Sequence, residues 1–65
     1  MKVRDVIRRI ERDGWRLERQ RGSHRIYRHP YKPGTVTVAG AFGKDISYGT
    51  LGNIFKQAGL KGRKR

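Results

Sequence analysis

The chain has 65 residues and no cysteine, and its 17 Lys and Arg against 5 Asp and Glu give a formal net charge of +12 at pH 7. A chain this short forms one domain, buries only about 60% of its unfolded surface, and has neither disulfides nor a thiolate zinc site to stabilise it. Because no apolar run is long enough for a signal peptide or a membrane span, we expect a cytoplasmic protein with polyanionic partners, either nucleic acid or an acidic protein.

Residues 2–13 have the pattern of an amphipathic helix. Apolar side chains recur at i, i+3, i+4 and i+7, which places them on one helical face: Val3, Val6, Ile7 and Ile10. Gly14 follows as a stop signal. The sequence therefore predicts a first helix that ends at Asp13.

Two strands are predicted next. Residues 15–19 alternate apolar and polar, which indicates a half-buried strand with Trp15 and Leu17 facing the core. Residues 20–23 are typical of a turn, and residues 24–29 are rich in strand-forming side chains. The second strand must end near Pro30, because proline lacks the backbone donor that a strand ladder needs.

The sequence leaves open which face of the second strand is buried. In one arrangement Tyr27 faces the core together with Arg25 and His29, and His24 lies on the other side. In the other, Ile26 faces the core, and a bulge near the turn reconciles the two patterns.

A third strand and a second helix complete the chain. Residues 35–39 alternate Thr and Val, with Val36 and Val38 on the buried face, and residues 39–46 form a glycine-containing loop. Ser47 is the expected N-cap of a helix that ends at Gly59. The apolar face of this helix again follows helical spacing: Leu51, Ile54, Phe55 and Ala58.

The order of elements predicts an α+β fold, α-β-β-β-α, with a three-stranded antiparallel sheet and both helices on one face. We expect this single domain to span residues 1–60. Residues 61–65 are basic and without apolar side chains, so we expect a disordered tail that adds affinity for phosphates.

His24 is the strongest candidate for chemistry. It follows Gly22 and Ser23 at a turn, between Arg21 and Arg25. Histidine exchanges a proton near neutrality, arginines bind phosphate, and glycine allows a phosphate to approach the backbone. This combination indicates proton transfer on a phosphodiester, with a neutral imidazole at pH 7 because neighbouring cations disfavour its charged form. The alternative is a surface histidine without a function.

The remaining candidates are expected to bind the phosphates of a nucleic acid, and no metal or cofactor is expected. His24 and His29 are separated by an odd number of residues, so a strand points them to opposite faces and they cannot chelate one ion. Lys44 lacks the spacing of a phosphate-cradling Walker loop, yet it supplies a point charge if it does not simply lie in solvent. The candidate RNA-binding residues are Arg21, Gly22, Ser23, Arg25, Arg28 and Lys44.

Several short motifs follow one another in a specific order over residues 6–60. They are Asp13-Gly14-Trp15, Gln20-Arg21-Gly22-Ser23-His24, His29-Pro30, Val36-Thr37-Val38, Gly43-Lys44-Asp45-Ile46, Gly49-Thr50-Leu51, Ile54 and Lys56-Gln57-Ala58-Gly59-Leu60. In this order they resemble the HicA family, the small toxins of the HicAB toxin-antitoxin systems.

The resemblance implies a double-stranded-RNA-binding-like fold and metal-independent cleavage of messenger RNA. The family's catalytic histidine, in its Gly-Ser-His motif, falls on His24. A HicB-type acidic antitoxin that covers this histidine is also implied. One departure is the loop at residues 39–42, where many relatives carry proline and histidine; Phe42 is expected to stack on a base or to fill the core.

Two functions from different classes therefore follow from the sequence. The first is a toxin endoribonuclease that uses His24. The second is a non-catalytic double-stranded-RNA-binding module, in which His24 contacts the minor groove. A protein that meets nucleic acid only through a partner is a third possibility.

Overall fold

The computed structural model describes residues 1–60, and the predicted order of elements is confirmed. The elements are α1 (Val3–Asp13), β1 (Arg16–Arg21), β2 (His24–Arg28), β3 (Thr35–Ala39) and α2 (Tyr48–Gln57). The predicted tail at residues 61–65 lies outside the described part of the chain. Within that part, neither helix combines the length and the apolar character that crossing a bilayer requires.

The three strands form one antiparallel sheet in the order β1-β2-β3. A two-residue turn joins β1 to β2, and Gly22 adopts φ 59°, in the left-handed region that favours glycine. Because Arg21 already pairs with His24, β1 extends further than the predicted strand and the predicted turn at residues 20–23 is too long.

The structure decides the buried face of β2. Tyr27 is 2% exposed and Arg25 is 6% exposed, so the arrangement with Tyr27 inward is the correct one. Their partners on β3, Val36 and Val38, are fully buried. All buried side chains of the sheet thus lie on one face, and both helices pack there, as predicted.

The core joins this face to the two helices. It consists of buried apolar side chains from every element except β1: Val3, Val6, Ile7, Ile10, Trp15, Tyr27, Val36, Val38, Ile54, Phe55 and Ala58. The predicted N-cap of α2 is confirmed, because the Ser47 hydroxyl accepts a hydrogen bond from the Thr50 amide at 3.4 Å.

The expectation that β1 is half-buried is wrong. Trp15 is fully buried but precedes the strand, and all six residues of β1 are exposed. Leu17 pairs with Tyr27 and therefore faces the helices, yet it remains 49% exposed. β1 is an edge strand that extends past the area that the helices cover.

Backbone carbonyls of the loop after β3 cap the N-terminus of α1. The amides of Val3 and Arg4 donate to the carbonyls of Lys44 and Phe42, at 2.9 and 3.1 Å. Lys2 is the N-cap residue, and its side chain makes no capping hydrogen bond. The loop therefore satisfies two of the donors that every helix leaves free at its start.

A polar cluster ties the end of α1 to the loop after β2 and to the end of α2. His29 donates from Nε2 to the Asp13 carbonyl at 2.8 Å, while its Nδ1 accepts from the amides of Tyr31 and Lys32. Lys32 donates to the Asp13 carboxylate at 2.6 Å and to the Ala58 carbonyl at 3.1 Å. In this pattern Nε2 carries the proton and Nδ1 serves as the acceptor.

The cluster leaves no room for a side chain at Gly14. Its φ is 114°, and a Cβ there would lie 2.6 Å from His29 Nε2. We expect Gly14→Ala to lower the free energy of unfolding by about 3 kcal/mol, measured by urea denaturation. Gly22→Ala is the control: it meets no atom within 4 Å and should cost only about 1 kcal/mol. Equal losses would contradict the assigned packing of His29.

Asp13 makes stability depend on pH. The hydrogen bond from Lys32 lowers the pKa of Asp13 below its ordinary value of 3.8. A carboxyl whose pKa is depressed by folding stabilises the protein above that ordinary value, and this contribution disappears as the pH falls through the folded-state pKa. We expect Asp13→Asn to cost about 1 kcal/mol at pH 7 and almost nothing near pH 2.

The control is Asp45→Asn, because the Asp45 carboxylate pairs with Lys2 while remaining 76% exposed. Urea denaturation of both variants at the two pH values should show a pH-dependent loss only for Asp13→Asn. A loss that is the same at both pH values would contradict the role of the Asp13 carboxylate.

Candidate nucleic-acid interface

The sheet face opposite the helices is open to solvent. Arg16 pairs with Arg28, but its guanidinium donates to the Glu11 carbonyl on α1 and so turns away from this face. Alternation along β2 and the pairing of its neighbours place the remaining set of side chains there, which we call the outer face: Arg19, Arg21, His24, Ile26, Arg28, Thr35, Thr37 and Ala39. All of them are exposed except Ile26, which is half-buried. Neither α1 nor α2, the two helices of residues 1–60, covers this face, so a ligand can reach it along the full length of β2.

His24 lies at one end of the outer face, directly after the turn. It pairs with Arg21 on β1 and with Ala39 on β3. The backbone beneath it is fixed, since the carbonyl of Ser23 accepts hydrogen bonds from the Gly40 amide at 3.2 Å and from Arg25 Nη1 at 3.3 Å. The imidazole is therefore exposed on an ordered support.

Three arginines share the outer face with His24. Arg21 is its direct neighbour, and Arg19 and Arg28 lie further along the sheet. Arg28 donates to the Glu18 carboxylate at 3.0 Å, and that pair is exposed. The result is a cationic surface on which phosphate groups are favoured.

Arg19 was missed by the sequence analysis. The pairing of β1 with β2 shifts between Leu17 and Arg19, which leaves Glu18 as an extra residue and places Arg19 opposite Ile26. Strict alternation from Leu17 would have put Arg19 on the helix side. A bulge of this kind has no signal in a single sequence, so only the structure locates this arginine.

The side chains of Arg25 and His24 lie on opposite faces of the sheet, so Arg25 is not beside the imidazole. Arg25 lies on the helix side of β2, is buried, and donates to the Gly40 carbonyl at 2.8 Å. Its guanidinium carbon is 4.4 Å from the centre of the Phe42 ring. Phe42 is itself 56% exposed, so the expectation that it fills the core is wrong.

Lys44 lies near the same end of the sheet as His24. A Cβ at Gly40 would meet Lys44 Cδ at 3.3 Å, and Gly40 is hydrogen-bonded to Ser23 next to His24. The side chain is exposed. The stem of Lys44 thus lies beside Gly40 at this end of the sheet, while its backbone carbonyl caps α1.

The two histidines have different surroundings. The side chain of His29 is 7% exposed, and its ring packs edge-on against Trp15 with 5.3 Å between ring centres. Both of its nitrogens are engaged in the polar cluster. Of the two, only His24 is exposed for contact with a substrate. Residues 1–60 contain no group of three or more His, Cys, Asp or Glu side chains arranged to hold a metal ion.

The exposed imidazole and the arginines around it suit one kind of chemistry. An imidazole moves a proton to or from a reacting hydroxyl, and guanidinium groups bind and neutralise phosphate oxygens. The arrangement therefore fits proton transfer beside a bound phosphodiester, on an open sheet face that follows the full length of β2.

Comparison with known proteins identifies the family of the chain. No curated protein matches the chain. A family model described as the HicA toxin of bacterial toxin-antitoxin systems matches residues 3–60, which is nearly the whole described part of the chain. The chain therefore belongs to the HicA toxin family, as the resemblance in its motifs predicted.

Proposed function

We propose that this toxin is a metal-independent endoribonuclease that cleaves messenger RNA, with His24 as its catalytic residue and the outer face as its RNA-binding surface. The observation that carries the proposal is the exposure of His24, at an ordered turn, on a sheet face that also bears Arg19, Arg21 and Arg28. Membership of the HicA family supports the toxin role.

The side chains of the protein and water together supply every group that the reaction requires. A neutral His24 imidazole accepts the proton of a ribose 2′-hydroxyl, and the 2′-oxygen attacks the adjacent phosphorus. The bond from phosphorus to the 5′-oxygen breaks, and that oxygen takes a proton from water. The hydroxide left behind takes the proton from the His24 imidazolium, which restores the neutral imidazole. The products are a 2′,3′-cyclic phosphate and a 5′-hydroxyl. In the other assignment His24 starts protonated and supplies the proton to the leaving oxygen.

The cations stabilise the charge that develops on the phosphate. Arg21 is the direct neighbour of His24 across the strands, and Lys44 lies at the same end of the sheet. Backbone amides at Gly22 and Ser23 add donors close to the reacting group, because the exposed glycine turn leaves space for a phosphate. Arg28 holds the RNA further along the strand.

The second partner in this proposal is a HicB-type acidic antitoxin. The net charge of +12 gives the toxin a strong attraction for an acidic protein as well as for RNA. A complex of opposite charges associates fast and is weakened by salt. The antitoxin and the RNA therefore both depend on the positive charge of the toxin.

Replacement of His24 tests catalysis. We expect His24→Ala to lower the rate of RNA cleavage by about 10² to 10⁴-fold, because that is the usual contribution of a general acid or base. RNA affinity, measured by fluorescence anisotropy, should stay nearly unchanged. Wild-type cleavage should continue in EDTA and give fragments with cyclic phosphate ends.

Cleavage by His24→Ala at the wild-type rate would remove the catalytic assignment. RNA that is bound but stays intact with the wild-type protein would instead support the non-catalytic double-stranded-RNA-binding module. If the wild-type protein neither binds nor cleaves RNA, the third possibility remains, which is a protein that meets nucleic acid only through a partner.

Replacement of Arg21 tests the outer face. We expect Arg21→Ala to raise the Kd for RNA about fivefold near physiological salt and to reduce the salt dependence by the equivalent of about one phosphate contact. Arg12→Ala is the control, since it removes the same charge from α1, and its effect on both quantities should be small. Equal effects from the two variants would mean that RNA binds without preference for the outer face.

A further inference from the structure

A second surface lies on the helix side of the sheet, between α1 and the free edge of β1. It is a groove of about 350 Å³. Residues from α1, β1, β2 and the loop after β3 line it: Arg4, Ile7, Arg8, Glu11, Leu17, Gln20, Arg25, Tyr27 and Phe42. None of these residues belongs to the outer face, so the sheet separates the groove from His24.

The groove contains a buried cation without a counter-ion. Arg25 is 6% exposed, and none of the ion pairs formed by residues 1–60 includes it. Its hydrogen bonds go to the carbonyls of Ser23 and Gly40, which are neutral. A buried charge without an opposite charge is costly, so an anionic group that enters the groove gains from the contact.

Apolar side chains lie open beside this cation. Leu17 is 49% exposed and Phe42 is 56% exposed, and Ile7 and Tyr27 form part of the lining. Burial raises the pKa of the Tyr27 hydroxyl, which is the mark of a weakly hydrated environment. A ligand that fits here carries an apolar group as well as an anionic one.

This composition favours a protein over RNA. Arginine and aromatic residues are enriched in the centres of protein interfaces, and lysine, which is depleted there, is absent from the lining. The Glu11 carboxylate repels a nucleic-acid strand, which carries a phosphate at every nucleotide. A peptide is not repelled in this way when its carboxylates are spaced so that none lies next to Glu11. The family adds that a toxin of this kind has an antitoxin partner.

We propose that the groove binds an acidic protein segment that places an apolar side chain against Leu17 and Phe42 and a carboxylate near Arg25 and Arg4. The proposal rests on the toxin-antitoxin part of the proposed function and does not depend on catalysis by His24. It places this segment on the sheet face opposite His24, so a partner that also covers the histidine contacts both faces around the free edge of β1. Arg25 connects the two, because it also holds the Ser23 carbonyl beside His24.

The test uses the full chain and two acidic polymers of equal length. One is a random copolymer of glutamate and tyrosine, which carries apolar anchors, and the other is polyglutamate. With the ¹⁵N-labelled chain, we expect the copolymer to shift the amide signals of Leu17, Gln20 and Phe42, and to bind about tenfold more tightly than polyglutamate.

Matched variants separate the groove from the outer face. Leu17→Ser should weaken copolymer binding about tenfold, whereas Ile26→Ser, the apolar control on the outer face, should have little effect. Arg4→Ala and Arg19→Ala remove the same charge, and only Arg4→Ala should weaken copolymer binding severalfold. Leu17 lies half exposed on an edge strand, and thermal melting of each variant verifies that it folds.

Three results would overturn the proposal. They are equal affinity for the two polymers, copolymer shifts confined to outer-face amides, and shifts of the groove amides by an oligouridylate, which would make the groove a nucleic-acid site. RNA cleavage by the same samples is scored separately. Failure of the groove proposal therefore leaves the His24 result intact, and failure of catalysis leaves the copolymer result intact.

Discussion

Two short helices cover only one face of a three-stranded sheet, and this constraint shapes the whole molecule. Residues 1–60 contain no further helix or strand that buries the other face. Strand alternation then divides β2, with Arg25 and Tyr27 beneath the helices and His24, Ile26 and Arg28 on the open face. The His24 imidazole is exposed because neither of these two helices covers that face.

The two histidines show how packing assigns different roles to the same side chain. His29 directly follows β2, and both of its nitrogens are engaged while its ring packs against Trp15. It joins α1 to the loop after β2, while Lys32 extends the same cluster to the end of α2. His24, five positions earlier, keeps its imidazole exposed on the outer face. One histidine is thus fixed in the packing of the fold, and the other is the residue that we propose as catalytic.

Arg25 links the two surfaces, the outer face and the groove. It was expected beside His24 as a phosphate ligand, because the two residues are adjacent in the sequence, yet adjacency in a strand is what separates their side chains. Buried between Phe42 and two carbonyls, it fixes the turn from below and presents a cation to the groove. The sheet therefore carries arginines on both faces, with Arg19, Arg21 and Arg28 on the outer face and Arg25 in the groove.

Local patterns in the sequence determined most of the fold. The helical spacing of apolar residues, the stop at Gly14, the cap at Ser47 and the Thr-Val alternation of β3 are each set within a few residues, so both helices, the third strand and the order of elements were predicted correctly. The motif around His24 was equally readable, and its order with the other motifs indicated the family.

Tertiary structure alone decided which residues share a surface. The buried face of β2 depends on which side chains the helices reach, and the exposure of Leu17 depends on the edge position of β1. The place of Arg19 depends on a bulge that exists only when β1 pairs with β2. These features arise from contacts between distant segments, whereas a single sequence records only the preferences of neighbours along the chain.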